Sequence, residues 1–175
     1  MYIGEIIKAD TANGPGVRLS LFVSGCTNHC EGCFQPETWN FKYGKEYTQE
    51  IEDNIIEELS KPYYSGITLL GGDPMEEVNQ LGLLPLVERI KSELPDKNIW
   101  AYTGFIYDKD LVLRGKRYFD NITDRFLNTI DVLVDGPFKL DEKDIRLKFR
   151  GSKNQRIINM SLTREAGYVI LSDIM

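Results

Sequence analysis

The sequence predicts an α/β fold, a partial (open) β/α barrel of mostly parallel strands in a single domain. Three observations carry this expectation. Short apolar runs alternate with amphipathic helical segments along the chain. The 175 residues suffice for one hydrophobic core but not for the eight units of a closed barrel. No internal repeat, low-complexity stretch or Pro/Gly/Ser-rich linker divides the chain, so residues 1–160 are expected to form the domain and 161–175 a C-terminal strand or tail.

The turn Asn13-Gly14-Pro15-Gly16 leads into a first strand, Val17 to Ser24, in which Val17, Leu19, Leu21 and Val23 share one face and Arg18 takes the other. In "TQEIEDNIIEELS" Thr48 is a candidate N-cap, acids fill the first turn, and Ile51, Ile55, Ile56 and Leu59 make one helical stripe. "GITLL", residues 66–70, reads as a short strand stopped by Gly71-Gly72. Val87, Ile90 and Leu94 then mark a second helix, with Pro85 in its first turn. "NIWAYT" (98–103), a helical region from about Asp108 to Asn128, "DVLVD" (131–135) and "QRIIN" (155–159) continue the alternation. Apolar strands separated by helices imply a parallel sheet, and ligands collect at the carboxyl ends of such strands. The unusual residues sit there: a cysteine loop after the first strand, "GGDP" after the second, Thr103-Gly104 after the third and Asp135-Gly136 after the fourth.

A net charge of -6 opposes nonspecific nucleic-acid binding, and the locally basic segment 143–156 reads as a solvated loop face. The N-terminus has no basic region followed by an apolar one, and no run approaches the roughly 18 apolar residues of a membrane span. A soluble, untargeted, cytoplasmic protein is expected, with neither nucleic acid nor membrane as partner. The three cysteines all lie between positions 26 and 33, an odd number at a spacing that rarely forms disulfides, which points to a reducing compartment.

"SGCTNHCEGCF", residues 24–34, admits three readings. Buried structural cysteines would need more apolar company than Gly, Asn, Thr and Glu provide. A zinc ion could take Cys26, Cys30, Cys33 and the chain's only histidine, His29, although adjacent Cys30 and His29 would both have to wrap one tetrahedral ion and no second ligand pair exists. An iron–sulfur cluster is the third: four irons need four ligands, this chain offers three thiolates, and one iron would stay open.

The order C-x3-C-x2-C at the end of a first strand resembles the radical S-adenosylmethionine superfamily. Together with "NGPGVRLSLFVSGC", "CFQPETWN", "TLLGGDPM", "IWAYTGF", "DVLVDGPF" and "FRGSKNQRII", residues 2–159 resemble the activating proteins of anaerobic (class III) ribonucleotide reductases. The resemblance implies a [4Fe–4S] cluster held by Cys26, Cys30 and Cys33, with S-adenosyl-L-methionine on the open iron through its amino and carboxylate groups. It further implies reduction by an external one-electron donor, release of a 5′-deoxyadenosyl radical, and installation of a glycyl radical on the large reductase subunit, the protein substrate.

By the same resemblance, Gly32 and Phe34 flank the adenine and cluster, and Gly72 and Asp73 receive the methionine amine. Thr103, Gly104, Asp135 and Gly136 face the ribose or the incoming substrate, and Arg150, Gly151, Ser152, Asn154 and Gln155 lie near the cofactor or the partner's glycine loop. Phe34-Gln35 replaces the Tyr-Asn of many members, and Gly32 stands where the wider superfamily often has an aromatic residue. His29 is then a bystander. The alternatives are an activator of another glycyl-radical enzyme, a radical enzyme acting on a small molecule, and a zinc-stabilised binding module without catalysis.

Overall fold

The structure, a computed structural model, describes residues 1–174; Met175, the last residue of the expected C-terminal segment, lies outside them. Its strands are β1 (Tyr2–Asp10), β2 (Arg18–Val23), β3 (Lys45–Glu46), β4 (Gly66–Gly71), β5 (Asn98–Tyr102), β6 (Val132–Asp135) and β7 (Arg156–Asn159). Its helices are α1 (Gln49–Leu59), α2 (Glu77–Glu93), the single turn α3 (Tyr107–Asp110), α4 (Asp120–Thr129) and α5 (Met160–Ala166). All seven strands join one open sheet in the order β3-β1-β2-β4-β5-β6-β7.

The centre of the sheet is parallel, as the alternation predicts: β2 pairs with β4, β4 with β5 and β5 with β6. The edges are not. Strand β1, unforeseen in the sequence, pairs antiparallel with β2 through two register shifts, and β7 pairs antiparallel with β6. The segment between β6 and β7 contains no α-helix, the usual crossover between parallel neighbours, and β7 returns antiparallel.

The two faces of the sheet are chemically different, because successive side chains on a strand point to opposite sides. One face carries Leu19, Leu21, Val23, Ile67, Leu69, Ile99, Ala101 and Leu133, which form one core with Ile55 and Leu59 of α1, Leu83, Val87 and Ile90 of α2, and Phe126 of α4. Full burial of each such large aliphatic or aromatic side chain contributes roughly 1.5–3 kcal/mol. The opposite face has a smaller cluster of Trp100, Val132, Val134 and Ile157, against which Tyr102, Phe149 and Ile174 pack.

Arg18 lies on this second face, opposite Leu19, and is fully buried. Its guanidinium donates to Thr68 Oγ1 at 2.6 Å, Ile67 O at 2.7 Å and Pro15 O at 3.3 Å, and sits 5.4 Å from the Trp100 ring centroid. Burial pulls its pKa down to about 10, which leaves it charged at neutral pH.

Helix α1 starts where expected, with Thr48 Oγ1 accepting from Ile51 N at 3.3 Å. Two helical expectations need correction. Helix α2 begins at Glu77, so Pro85 stands inside it and not in its first turn; the apolar stripe extends through Leu83 and Leu84, ahead of the proline. The expected helix from Asp108 to Asn128 is two pieces, α3 and α4, separated by a turn-rich segment in which Gly115 N bonds to Val112 O. Beyond β7, Asn159 N donates to Ile170 O and Ser172 N to Ile157 O, which ties residues 161–174 to the sheet edge.

Candidate active site

The cysteine loop leaves β2 at the carboxyl end of the parallel strands, beside the loop that leaves β4. The two are sewn together: Gly72 N donates to Val23 O at 2.7 Å and Asp73 N to Gly25 O at 2.8 Å. Glycine is required here. A Cβ on Gly72 would stand 2.5 Å from Gly25 O, and one on Gly71, at φ +104°, would stand 2.7 Å from Val23 O. "GGDP" is therefore more than a turn; its bare backbone lets the two loops touch.

Two buried carboxylates from this second loop hold the cysteine loop in place. Asp73, 1% exposed, receives four donors: Met75 N and Thr103 Oγ1 on Oδ1, Gly104 N and Asn28 Nδ2 on Oδ2, all at 2.8–2.9 Å. Burial outweighs these bonds and raises its pKa to about 7. Glu76, also buried, accepts from Thr27 N at 2.7 Å and Thr27 Oγ1 at 2.6 Å, and its other oxygen lies 3.3 Å from Arg117 Nε. Arg117 in turn donates to Thr27 Oγ1 at 2.7 Å and lies over the Phe105 ring at 4.7 Å.

A cavity of about 700 Å³ opens between these loops. It is lined by Cys26, Cys30, Cys33 and Phe34 of the cysteine loop, by Gly72, Asp73, Thr103, Gly104 and Gly136 at the strand ends, and by Phe138, Lys143, Arg150 and Gln155 of the segment between β6 and β7. The three cysteines are free and half-buried. Among the described residues, no three His, Cys, Asp or Glu side chains form a group that could hold a single metal ion. Burial, and then Asp73, push the Cys26 thiol up to about 11, while the Asn28 amides oppose that rise. Burial also raises Cys30, against the backbone N–H of Phe138.

Comparison with known proteins adds identity. A family model described as a 4Fe-4S single cluster domain matches residues 12–158. The anaerobic ribonucleoside-triphosphate reductase-activating protein of Vibrio cholerae serotype O1 is 43% identical over 155 residues, 87% of this chain and 94% of that protein. Proteins of the same name from Escherichia coli K12 (41% over 153 residues, 86% of this chain and 94% of that protein) and Enterobacteria phage T4 (36% over 159 residues, 90% and 93%) are also similar. This chain belongs to the family of anaerobic ribonucleoside-triphosphate reductase-activating proteins.

For a member of this family the donor set fits an iron–sulfur cluster: three thiol sulfurs lining one cavity, with backbone and amide N–H groups near two of them. His29 is turned to another task, stacked on Trp39 at 4.6 Å between ring centroids. Among the residues expected at the cofactor, Gly32 and Asp135 stand apart from the cavity lining. Gly32 lies against Leu140. Asp135, 1% exposed, is occupied by Arg156, which donates to it from Nε at 2.9 Å and Nη2 at 2.5 Å, and by Tyr107 N at 2.8 Å.

Of the other expected contacts, Gly151 also lines the cavity, whereas Ser152 and Asn154 do not; Asn154 donates to Pro137 O and Ser152 Oγ accepts from Lys139 N. Sequence reasoning passed over Thr27, Asn28, Glu76 and Arg117. The available signal was polar: two hydrogen-bonding residues directly after Cys26, and a second acid three positions beyond Asp73.

Proposed function

We propose that this chain is the enzyme that installs a glycyl radical on the large subunit of the anaerobic ribonucleoside-triphosphate reductase. In this reading Cys26, Cys30 and Cys33 hold a [4Fe–4S] cluster, and S-adenosyl-L-methionine occupies the cavity beside it. The observation that carries the reading is that all three cysteines line one cavity at the carboxyl ends of the parallel strands. Its volume of about 700 Å³ lies within the roughly 300–1,000 Å³ of small-molecule and cofactor sites, so a bulky ligand fits beside the sulfurs.

When bound, the reduced cluster supplies the electron that cleaves the sulfonium of S-adenosyl-L-methionine, a step beyond acid–base catalysis by any side chain. The chain's own residues position and shield. Gly72 presents backbone where a polar head group can approach without meeting a Cβ. Asp73 has four donors already and acts by fixing Asn28, Thr103 and Gly104 around the cavity, a preorganising role. Phe34, 69% exposed, packs against Phe138 and under Lys143, an aromatic face at the cavity mouth available to an adenine ring. Asp135 braces the β6 end through Arg156.

The open sheet is read as a partial barrel whose uncovered side admits a protein loop. Residues 1–160 are the functional unit, and 161–174 brace its edge. An external one-electron donor and a reducing, cytoplasmic setting complete the scheme; neither nucleic acid nor membrane takes part. No described helix is long and apolar enough to cross a membrane.

Anaerobic reconstitution with iron and sulfide tests the proposal. A brown protein that cleaves S-adenosyl-L-methionine with dithionite, and gives a glycyl EPR doublet when mixed with the reductase, is expected. A colourless protein holding stoichiometric zinc overturns it. Cleavage without the doublet assigns the chemistry to another substrate.

A further inference from the structure

Among the described residues, Asn28 is the side chain that hydrogen-bonds both a cysteine of the loop and the buried Asp73 carboxylate. Its Nδ2 lies 3.7 Å from Cys26 Sγ and 2.9 Å from Asp73 Oδ2, so the two hydrogens of one amide group can serve two acceptors. The far end of the bridge is rigid. Asp73 is fixed by Met75 N, Thr103 Oγ1 and Gly104 N, three donors from two different loops. Space for the bridge is provided by Gly104: a Cβ there would stand 2.5 Å from Asn28 Nδ2 and 2.8 Å from its Cγ. The amide is therefore held from both sides and aimed at the sulfur.

We propose that Asn28 is a positioning residue of the cluster site, whose side-chain amide donates to the Cys26 sulfur while anchored on Asp73, and so sets the reduction potential of a cluster bound through that sulfur. This rests on the assignment of Cys26 as a ligand. The sign follows from electrostatics. A hydrogen bond to a ligand sulfur stabilises the more negative, reduced state, and hydrogen bonds to sulfur are among the levers that tune such clusters. Among the described residues, Cys26 is the thiol with a side-chain donor, so one amide separates it from Cys30 and Cys33.

The test is a redox titration of the reconstituted full-length chain, followed by the visible and EPR signals of the cluster. Asn28→Ala is expected to bind the same amount of iron and sulfide as the wild type. Its reduction equilibrium should move about tenfold toward the oxidised state, equivalent to about 59 mV for a one-electron couple. Gly104→Ala, which keeps Asn28 but crowds its amide, should shift the potential in the same direction.

An unchanged potential in Asn28→Ala overturns the inference. Should Asn28→Ala fail to hold a cluster, Gly104→Ala decides: a lowered potential supports the bridge, and a wild-type potential overturns it. A wild-type protein that takes up no cluster overturns the ligand assignment itself, a failure distinct from that of the bridge.

Discussion

The imidazole of His29 lies on the indole of Trp39, with centroids 4.6 Å apart and planes inclined by 27°. The only histidine of the chain, next in sequence to Cys30, is thereby used to pin the cysteine loop to the 3₁₀ turn Pro36–Trp39. His29 is itself exposed, so the stack on Trp39 is a surface contact of the loop. His29→Gln is expected to retain the full iron and sulfide content of the wild type and to lose only the stacking, on the order of 0.5–1.5 kcal/mol. Loss of the cluster in this variant would identify His29 as a ligand.

Each of Cys26→Ala, Cys30→Ala and Cys33→Ala is expected to abolish stable cluster binding, because no other cysteine exists in the chain to replace the missing thiolate. Iron and sulfide analysis with the visible spectrum measures this directly. One variant with full cluster content and full cofactor cleavage would contradict the three-ligand reading.

Asp73→Asn keeps the shape of the buried side chain but replaces one acceptor oxygen by a donor. Two of the four donors that now point at the carboxylate would then face an N–H group. Leaving buried donors unmet costs about 1–3 kcal/mol each, so thermal or urea unfolding should show a loss of at least that order. Proteolytic sensitivity of the loop around Asn28 should rise in parallel.

Asp135 is held by Arg156, whose other contact is Asp108 Oδ1 at 2.8 Å. Arg156→Ala leaves a carboxylate that is 1% exposed without its cation. Breaking a buried pair from one side costs roughly 3–5 kcal/mol. The expected result is a marked drop in unfolding free energy with little change in cofactor affinity, measured by calorimetric titration on the folded fraction. A selective loss of affinity at unchanged stability would return Asp135 to the cofactor site.

Glu58 accepts from Lys61 at 2.7 Å, Lys8 at 3.0 Å, Tyr64 at 2.9 Å and Tyr63 at 3.2 Å, and the Lys61 bond above all holds its carboxyl down at about 2. The folded-state value lies below the unfolded one of 4.5, so this contribution is complete above about pH 4.5 and fades as pH falls toward 2. Urea midpoints at pH 6 and pH 3 should differ more in the wild type than in Glu58→Gln. Equal differences would show that the network carries no such linkage.

The parallel strands, the cysteine loop and the meeting of four strand-end motifs were legible because each depends on local signals: apolar runs, glycine pairs and short spacing. What escaped depends on distant partners. Strand β1 contains Gly4 and two register irregularities against β2, which blur its alternation. The direction of β7 follows a segment without a crossover helix and is not written in its own residues. Nothing in "DVLVD" announces that Asp135 will meet an arginine 21 residues later, nor in "CTNHC" that Asn28 will reach across to Asp73, 45 residues away.

The two hydrophobic clusters on either side of the sheet share no residue. Most of the apolar burial lies on the helical side, while the cavity is walled by loops and by the thinner cluster around Trp100. Changes in the segment from Gly136 to Gln155 can therefore reshape what the mouth admits without repacking α1, α2 or α4. A lineage of such enzymes can retarget its loops to a new protein substrate while the helical layer that keeps it folded stays as it was.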